Sequence, residues 1–426
     1  MTKPSVSVVI VSRGRPQLLK LCLLAVSQIH YDPFEIVVVA DRVGLDAVRD
    51  TGLFDQVKTA LLETANISKA RNIGISLAAG QVVAFLDDDS VPEPGWLFHL
   101  AAVFDNTDVV AAGGYVLGRN GISFQSKAET IDTHAITKPL EVDGTIPVIL
   151  SGDSVTGIKT VGTNCAFRRD LFQKLGGFDP AFAYFLDESD INIRVAKARL
   201  KTAIVPLAQV HHSSAASEVR QKNRMPISLF QVGRSIALFL RKHCQEQDRE
   251  RAETDAIEVQ RRQLHRHMMS GRCEPRDVER ILKTLKSGID SGMKEKPKVL
   301  PPVGLSSSKL LGFVRNGQNN TKHENLAGFL MSAHRVRKRA ESMVQSGATV
   351  SVYLFSRTAL FHHVRFHPDG YWEQTGGLYG RSIRSQPLFC WISLPNRAAK
   401  EADRVALVRQ PWDIDPKTPQ LPVVCF

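Results

Sequence analysis

Two runs of β-branched residues, SVSVVIVS (Ser5–Ser12) and FEIVVVA (Phe34–Ala40), flank RPQLLKLCLLAVSQ, whose apolar residues recur at helical spacing. The combination reads as a βαβ unit. ISKARNIGISLAAG follows as an amphipathic helix closed by Gly80, at the position that favours a left-handed cap, and QVVAFL as the next strand. Alternation of this kind predicts a mostly parallel sheet covered by helices, with ligands bound at the carboxyl ends of the strands.

After DVVAAGGYV the pattern loosens through Leu117 to Lys159, where Gly and Pro predict loops and a small subsheet over the site. NCAFRRDLFQKLGGFD resumes order with a strand-like start, a short helix from Asp170 and Gly176-Gly177 as its stop. DESDINIRVAKARL predicts a helix opening with acids, where the backbone dipole favours negative charge, and TAIVPLAQVHH a last strand. From Glu218 the character changes. ISLFQVGRSIALFL (Ile227–Leu240) is amphipathic and flanked by Arg224, Arg241 and Lys242, and EQDRERAETDAIEVQRRQLHRHMM is a heavily charged helix. The expected organisation is residues 1–217 as one domain, 218–290 as a basic helical extension, 291–325 as a linker and 326–426 as a small α+β region.

With 426 residues and 43% hydrophobic content the chain can bury a full core. It contains no unbroken apolar run of roughly 18 residues, and its first residues lack the order of a secretion signal. Six cysteines without a CxxC pair argue against a disulfide framework or a zinc knuckle. A cytoplasmic protein, soluble or peripheral at the inner face of the membrane, is the expectation. The charge is uneven: residues 1–216 hold 20 Lys and Arg against 23 Asp and Glu, whereas residues 217–426 hold 35 against 20. A basic appendage suits an anionic membrane, an acidic polymer or nucleic acid, or is an ordinary solvated surface, and charge alone does not choose. For Ile227–Leu240 the alternatives are a helix lying on an anionic membrane and one packing on the first domain. HHVRFHPDGYWEQTGGLYGRS (His362–Ser382) suits either an acceptor-binding region or a hairpin core.

The densest chemistry is Asp87-Asp88-Asp89, directly after an apolar strand. If the strand continues, Asp87 and Asp89 face one way and Asp88 the other. Two converging carboxylates repel unless a cation sits between them, and hard oxygen ligands select magnesium or manganese rather than zinc. The competing explanation is a capped turn, Asp89-Ser90, ahead of Pro92.

Taken together, VSVVIVSRGRPQLLKLCLLAVSQ, EIVVVADR, ISKARNIGISLAAGQVVAFLDDDS, GTNCAFRRDLFQKLGGFD and FLDESDINIRV resemble, in order, the motifs of the inverting glycosyltransferases of family 2, over roughly residues 5–217. The resemblance implies the GT-A fold, a Rossmann-like mixed, mostly parallel sheet with helices on both faces, here with a basic C-terminal helical and α+β extension. It implies a nucleoside-diphosphate sugar donor (UDP-, dTDP- or GDP-), a saccharide, glycolipid or surface polysaccharide acceptor, and Mn²⁺ or Mg²⁺ as cofactor. No nucleic acid is expected.

Carried onto this chain, the resemblance puts Asp87 on the ribose and Asp89 on the metal, with Asp88 beside them in the nucleotide-sugar site. Asp41 would read the base with Ser12 and Arg13 nearby, although Ala40-Asp41 stands where the family often has two acids. Arg71 would face the nucleotide or diphosphate, or be solvated, and Asn164 would lie near the donor sugar. Glu188 aligns with the catalytic base, in the order Asp187-Glu188 rather than the usual Glu-Asp, and Asp190 is the reserve. His211 or His212 would be a further metal ligand, and His211 is favoured. Two other functions stay open: nucleotidyl transfer on the same fold, against which the lack of an early Gly-rich, Lys-containing loop argues, and a binding scaffold with a decayed site.

Overall fold

The computed structural model describes residues 3–142, 144–295, 300–315, 323–412 and 423–425. The first half opens with β1 (Val6–Ser12), α1 (Pro16–Val26), β2 (Phe34–Ala40), α2 (Arg42–Asp50), β3 (Val57–Leu61) and α3 (Ile67–Leu77). β4 (Val82–Asp87), β5 (Ser90–Pro92), α4 (Trp96–Ala102) and β6 (Val109–Leu117) continue it. Short strands β7 (Phe124–Ser126), β8 (Glu129–Asp132), β9 (Thr137–Pro139), β10 (Val148–Ser151) and β11 (Thr156–Lys159) precede β12 (Cys165–Arg168), α5 (Leu171–Lys174), α6 (Asp187–Lys197) and β13 (Lys201–His212).

The main sheet runs β10-β13-β6-β12-β4-β1-β2-β3, with β5 added to β13 and β7 to β6. The block β4-β1-β2-β3 is parallel, and β12 enters antiparallel between β4 and β6. This is the mixed sheet with helices on both faces that the GT-A resemblance implies. β1 and β2 are buried along their whole length because each face has its own core. Val8, Ile10, Ile36 and Val38 pack on Leu19 and Leu23 of α1 and Trp96 of α4, while Val9, Val37 and Val39 face Ile75 of α3 and the ring cluster Phe85, Phe167, Phe172 and Phe178.

One expected detail is corrected. α3 ends at Leu77 and Gly80 is not a left-handed cap; a Cβ there would lie 2.6 Å from the Ser7 backbone nitrogen. Gly80 is thus needed for close approach to β1, and its N–H donates to Ser7 Oγ at 2.8 Å.

The basic extension is three helices, α7 (Phe230–His243), α8 (Arg249–Met269) and α9 (Pro275–Lys294). α7 and α9 approach so closely that a Cβ on Gly288 would lie 2.0 Å from the Phe230 carbonyl oxygen. The apolar face of α7, with Ile236 and Leu240, is consumed by Ile281, Leu285 and Ile289. It packs on protein and has no face left for a membrane. No helix among the described residues is long and apolar enough to cross a bilayer. Within the stretch read as a linker, residues 300–315 are pinned along the first domain: Leu311 N–H donates to Glu35 Oε2 at 2.9 Å and Phe313 N–H to the Phe34 carbonyl at 2.8 Å.

The C-terminal region has β14 (His323–Phe329), α10 (Ala333–Gln345), β15 (Thr349–Ser356), β16 (His363–Phe366), β17 (Trp372–Gly377), α11 (Leu394–Arg409) and β18 (Val423–Cys425). Its sheet runs β16-β17-β15-β14-β18, and the aromatic stretch around Trp372 is the antiparallel hairpin β16–β17. This unit is clamped to the first by Val364 N–H on the Asn120 carbonyl, Gly95 N–H on the Val408 carbonyl and Gln28 Nε2 on the Gly370 carbonyl, at 2.8, 2.8 and 2.6 Å.

Between the two sheets lies a buried carboxylate, Glu93, held by Arg409 Nε at 3.0 Å and His211 Nε2 at 2.8 Å. Burial alone would raise its pKa, but Arg409 and His211 hold it down, from 4.5 to about 2. Its contribution to stability is therefore full above the ordinary carboxylate value and fades as pH falls through the folded one. Glu93→Gln leaves Arg409 buried without its counter-ion and is expected to cost roughly 3–5 kcal/mol in denaturant unfolding. The gap between wild type and variant should narrow as pH falls from 4.5 toward about 2; an unchanged gap over that range would remove Glu93 as its source.

Candidate active site

β4 delivers the three acids to the carboxyl edge of the parallel block, and the chain turns at Asp88-Asp89 before β5. The turn separates the side chains. Asp87 and Asp89 converge with His212, at the end of β13, so that one ligand atom from each lies within 4.8 Å of the others. Two carboxylates and an imidazole are a donor set for a hard or borderline divalent cation, Mn²⁺ among them.

His212 Nε2 is 3.2 Å from Asp89 Oδ1, and its Nδ1 lies against Gln125 and Ser214, which fix the ring. Asp89 also accepts the Ala215 N–H at 2.8 Å, and Arg15 NH1 lies 3.4 Å away. Burial would raise the Asp89 carboxyl, but the His212 hydrogen bond and charge, with Arg15 and Ala215, hold it well below the usual range. It is held in the ionised form that a carboxylate needs to coordinate a cation.

Asp88 turns the other way, fully buried, accepting from Ser12 Oγ at 2.7 Å and Arg15 Nε at 3.1 Å. Burial pushes its pKa up to about 7 against Arg15 and Ser12. Ser12 is thereby committed to the protein. Asp41 is likewise engaged: it caps α2 through the Gly44 N–H and ties the loop after β1 through the Gly14 N–H, at 2.9 and 2.8 Å. Arg13 sits on the surface, 2.8 Å from the exposed Glu218 of the segment after β13.

Arg71 is neither solvated nor open to a ligand. It is buried under Phe178 and Phe85, donates to Asp187 and to the Gly162 carbonyl, and reaches Asp87 at 3.3 Å. Burial alone would lower its pKa, but Asp187 and then Asp87 raise it above the ordinary guanidinium value. One cation thus spans Asp87 and the acid pair opening α6. Leu186, just before that pair, has φ 64°, which turns the chain into the helix with Asp187 buried and Glu188 half-buried. Burial raises the Asp187 pKa, Arg71 opposes it and Glu188 adds to it.

Three residues sit apart from the places that the resemblance gave them. Asp190, the reserve base, is fully buried and bound by Arg194 at 2.9 Å and by Lys242 and His243 of α7 at 2.8 Å each; it anchors α6 to the extension. Asn164 is inside the core, where Oδ1 accepts from Trp96 Nε1 and Nδ2 donates to the Tyr115 and Ala208 carbonyls. With no exposed surface, it is closed off from a sugar. His211, favoured over His212, lies on the other face of β13 with Glu93 and 4.6 Å from the Trp372 ring. Adjacent strand residues face opposite ways, and here the even position faces the acids.

Arg15 was not anticipated, although it neutralises two of the three acids; the signal was its place before Pro16, which starts α1 at the mouth of the site. Beside the acids lies a cleft of about 140 Å³ lined by Leu18 and Leu21 of α1, Arg119, His212 and, from the C-terminal sheet, Arg365 and Phe366.

Residues 7–176 match the family described as "Glycosyl transferase family 2". The chain is 29% identical over 163 residues to the glucosyl-dolichyl phosphate glucuronosyltransferase of Haloferax volcanii, covering 35% of this chain and 47% of that protein. It is 28% identical over 211 residues to the probable glycosyltransferase YdaM of Bacillus subtilis, covering 45% of this chain and 46% of the relative. The chain thus spans about half the length of these curated relatives. Among solved structures, GalNAc-T7 with UDP, GalNAc and Mn²⁺ shares 20% identity with a TM-score of 0.44, over 56% of this chain and 48% of the other.

Asp190→Asn is expected to weaken the contacts to Arg194, Lys242 and His243 at once and to lower unfolding free energy by roughly 3 kcal/mol. Asn164→Ala, which leaves the Trp96 N–H buried without an acceptor, should cost about 1–3 kcal/mol. Urea unfolding measures both, and losses below 0.5 kcal/mol, roughly the range of ordinary surface changes, would contradict the structural roles given to these two residues.

Proposed function

We propose, from the match of residues 7–176 to glycosyl transferase family 2, that the protein is a divalent-cation-dependent inverting glycosyltransferase. It moves a sugar from a nucleoside-diphosphate sugar, UDP-, dTDP- or GDP-linked, to a hydroxyl of a saccharide, glycolipid or surface polysaccharide. The observation that carries this reading is the arrangement around Arg71: the Asp87, Asp89 and His212 cluster on one side and Asp187-Glu188 on the other, tied by one buried guanidinium. The Haloferax relative is named for a lipid-linked phosphate, which favours a lipid-borne acceptor.

Asp89 and His212, with Asp87 alongside, would hold the cation, which when bound offsets charge on the departing diphosphate. Glu188 takes the proton of the acceptor hydroxyl as that oxygen attacks the anomeric carbon on the face opposite the leaving group, so the C–O bond forms as the bond to the diphosphate breaks. Asp187, fixed by Arg71, positions Glu188 at the start of α6. Asp87 serves the ribose, and Asp41 and Gly14 shape the base end of the site. Arg15 keeps Asp88 and Asp89 from repelling each other before the donor arrives.

Mn²⁺ or Mg²⁺ together with one of the UDP-, GDP- or dTDP-sugars is expected to raise the melting temperature, and Asp89→Asn to abolish that response. No shift with any donor and either metal would sink the proposal. Glu188→Gln should keep the donor-dependent shift and lower kcat by roughly 10²–10⁴-fold; turnover at the wild-type rate would remove Glu188 as the base.

A further inference from the structure

The C-terminal unit carries an apolar surface that the transfer chemistry does not use. Leu360 and Phe361 are 64% and 66% exposed, in the loop before β16, and Leu388, Phe389 and Trp391 are 65%, 55% and 80% exposed, in the loop after β17. The two loops lie side by side. Tyr379 N–H donates to the Thr358 carbonyl at 3.1 Å, Gly377 N–H to the Leu360 carbonyl at 3.0 Å, and Cys390 N–H to the Tyr379 carbonyl at 2.9 Å. Trp391 is held upright by stacking on Tyr379 at 4.9 Å with 2° between the ring planes, and Arg381 lies over Phe361 at 5.2 Å. Ordered backbone thus presents five large apolar side chains outward together, where scattered single exposures would need no explanation.

The charge within the two loops has one sign. Residues 356–366 and 378–393 contain no Asp or Glu and include Arg357, Arg381 and Arg384, none of which pairs with a carboxylate among the described residues. Aromatic and aliphatic side chains ringed by arginines suit the boundary of an anionic bilayer, where rings enter the headgroup layer and guanidinium groups meet lipid phosphates. A carbohydrate platform would set hydrogen-bonding amides and carboxylates beside the ring; here the neighbours of Trp391 are Phe389 and Tyr379.

We propose that this surface, Leu360-Phe361 with Leu388, Phe389 and Trp391, docks the protein on the face of an anionic membrane. The strand that leaves the first loop, β16, places Val364, Arg365 and Phe366 in the cleft beside Asp88, Asp89 and His212. At about 3.3 Å per residue, the docked loop stands only on the order of 10–15 Å along the strand from that cleft. The docking does not depend on the transfer reading; if that reading holds, the acceptor is one carried at the membrane surface.

The test is flotation of the full chain with phosphatidylcholine vesicles with and without phosphatidylglycerol. Binding is expected only with phosphatidylglycerol and should weaken as salt rises. The variant Leu360→Ser, Phe361→Ser, Trp391→Ser should lose roughly tenfold or more of the vesicle-bound fraction. The variant Arg357→Gln, Arg381→Gln, Arg384→Gln should lose most of its binding to the phosphatidylglycerol vesicles, and both should keep the wild-type melting temperature and the donor-dependent shift. The proposal is overturned if the wild type does not float, or if neither variant changes flotation. It is equally overturned if the serine variant instead loses a dimer seen by light scattering, or loses binding to a soluble polysaccharide with vesicle binding intact. Loss of donor response with flotation intact would count against the transfer reading alone.

Discussion

Three adjacent carboxylates at a strand end must each find a partner, and most of the first domain is arranged to supply them. Asp87 is given Arg71 from α3, Asp88 and Asp89 share Arg15 from the start of α1, and Asp89 also meets His212 from the last strand. Left to each other the three would raise one another's pKa and lose the ionised pair a cation needs. The counter-charges come from elements distant in sequence, so the site exists only when β4, α1, α3 and β13 are all in place.

The same economy explains why several polar residues near the site belong to the frame. Asn164 ties β12 to Trp96, to β6 and to the bend in β13, and Asp190 ties α6 to the helical extension. Both stand one helix turn or one strand away from the acids of the candidate site. Glu93 plays that part for the second sheet, which otherwise meets the first mainly through backbone contacts and the rings around Trp372.

The sheet, its helices and the meeting of Asp87 with Asp89 were legible in the sequence because β-branched runs, helical spacing and motif order all describe local patterns. What was not legible depends on partners far along the chain. Nothing local distinguishes Asn164 as a core residue, since Tyr115 and Ala208 accept its hydrogen bonds. The choice between His211 and His212 was out of reach for a definite reason: β13 shifts register against β6 between Val205 and Gln209, which resets the phase of any alternation counted from the strand's start. Arg71 was placed on an amphipathic helix correctly, but its burial follows from the ring cluster and from Asp187, more than a hundred residues on.

The two consecutive histidines at the end of β13 have a mechanical consequence. His212 reaches the acids and His211 grips Glu93 with Arg409, so two neighbouring peptide units carry the cation cluster and the seam between the sheets. The pocket and the seam thus hang on one peptide step: Asp89 and Glu93, on opposite faces of β13, draw their imidazole partners from the same strand end.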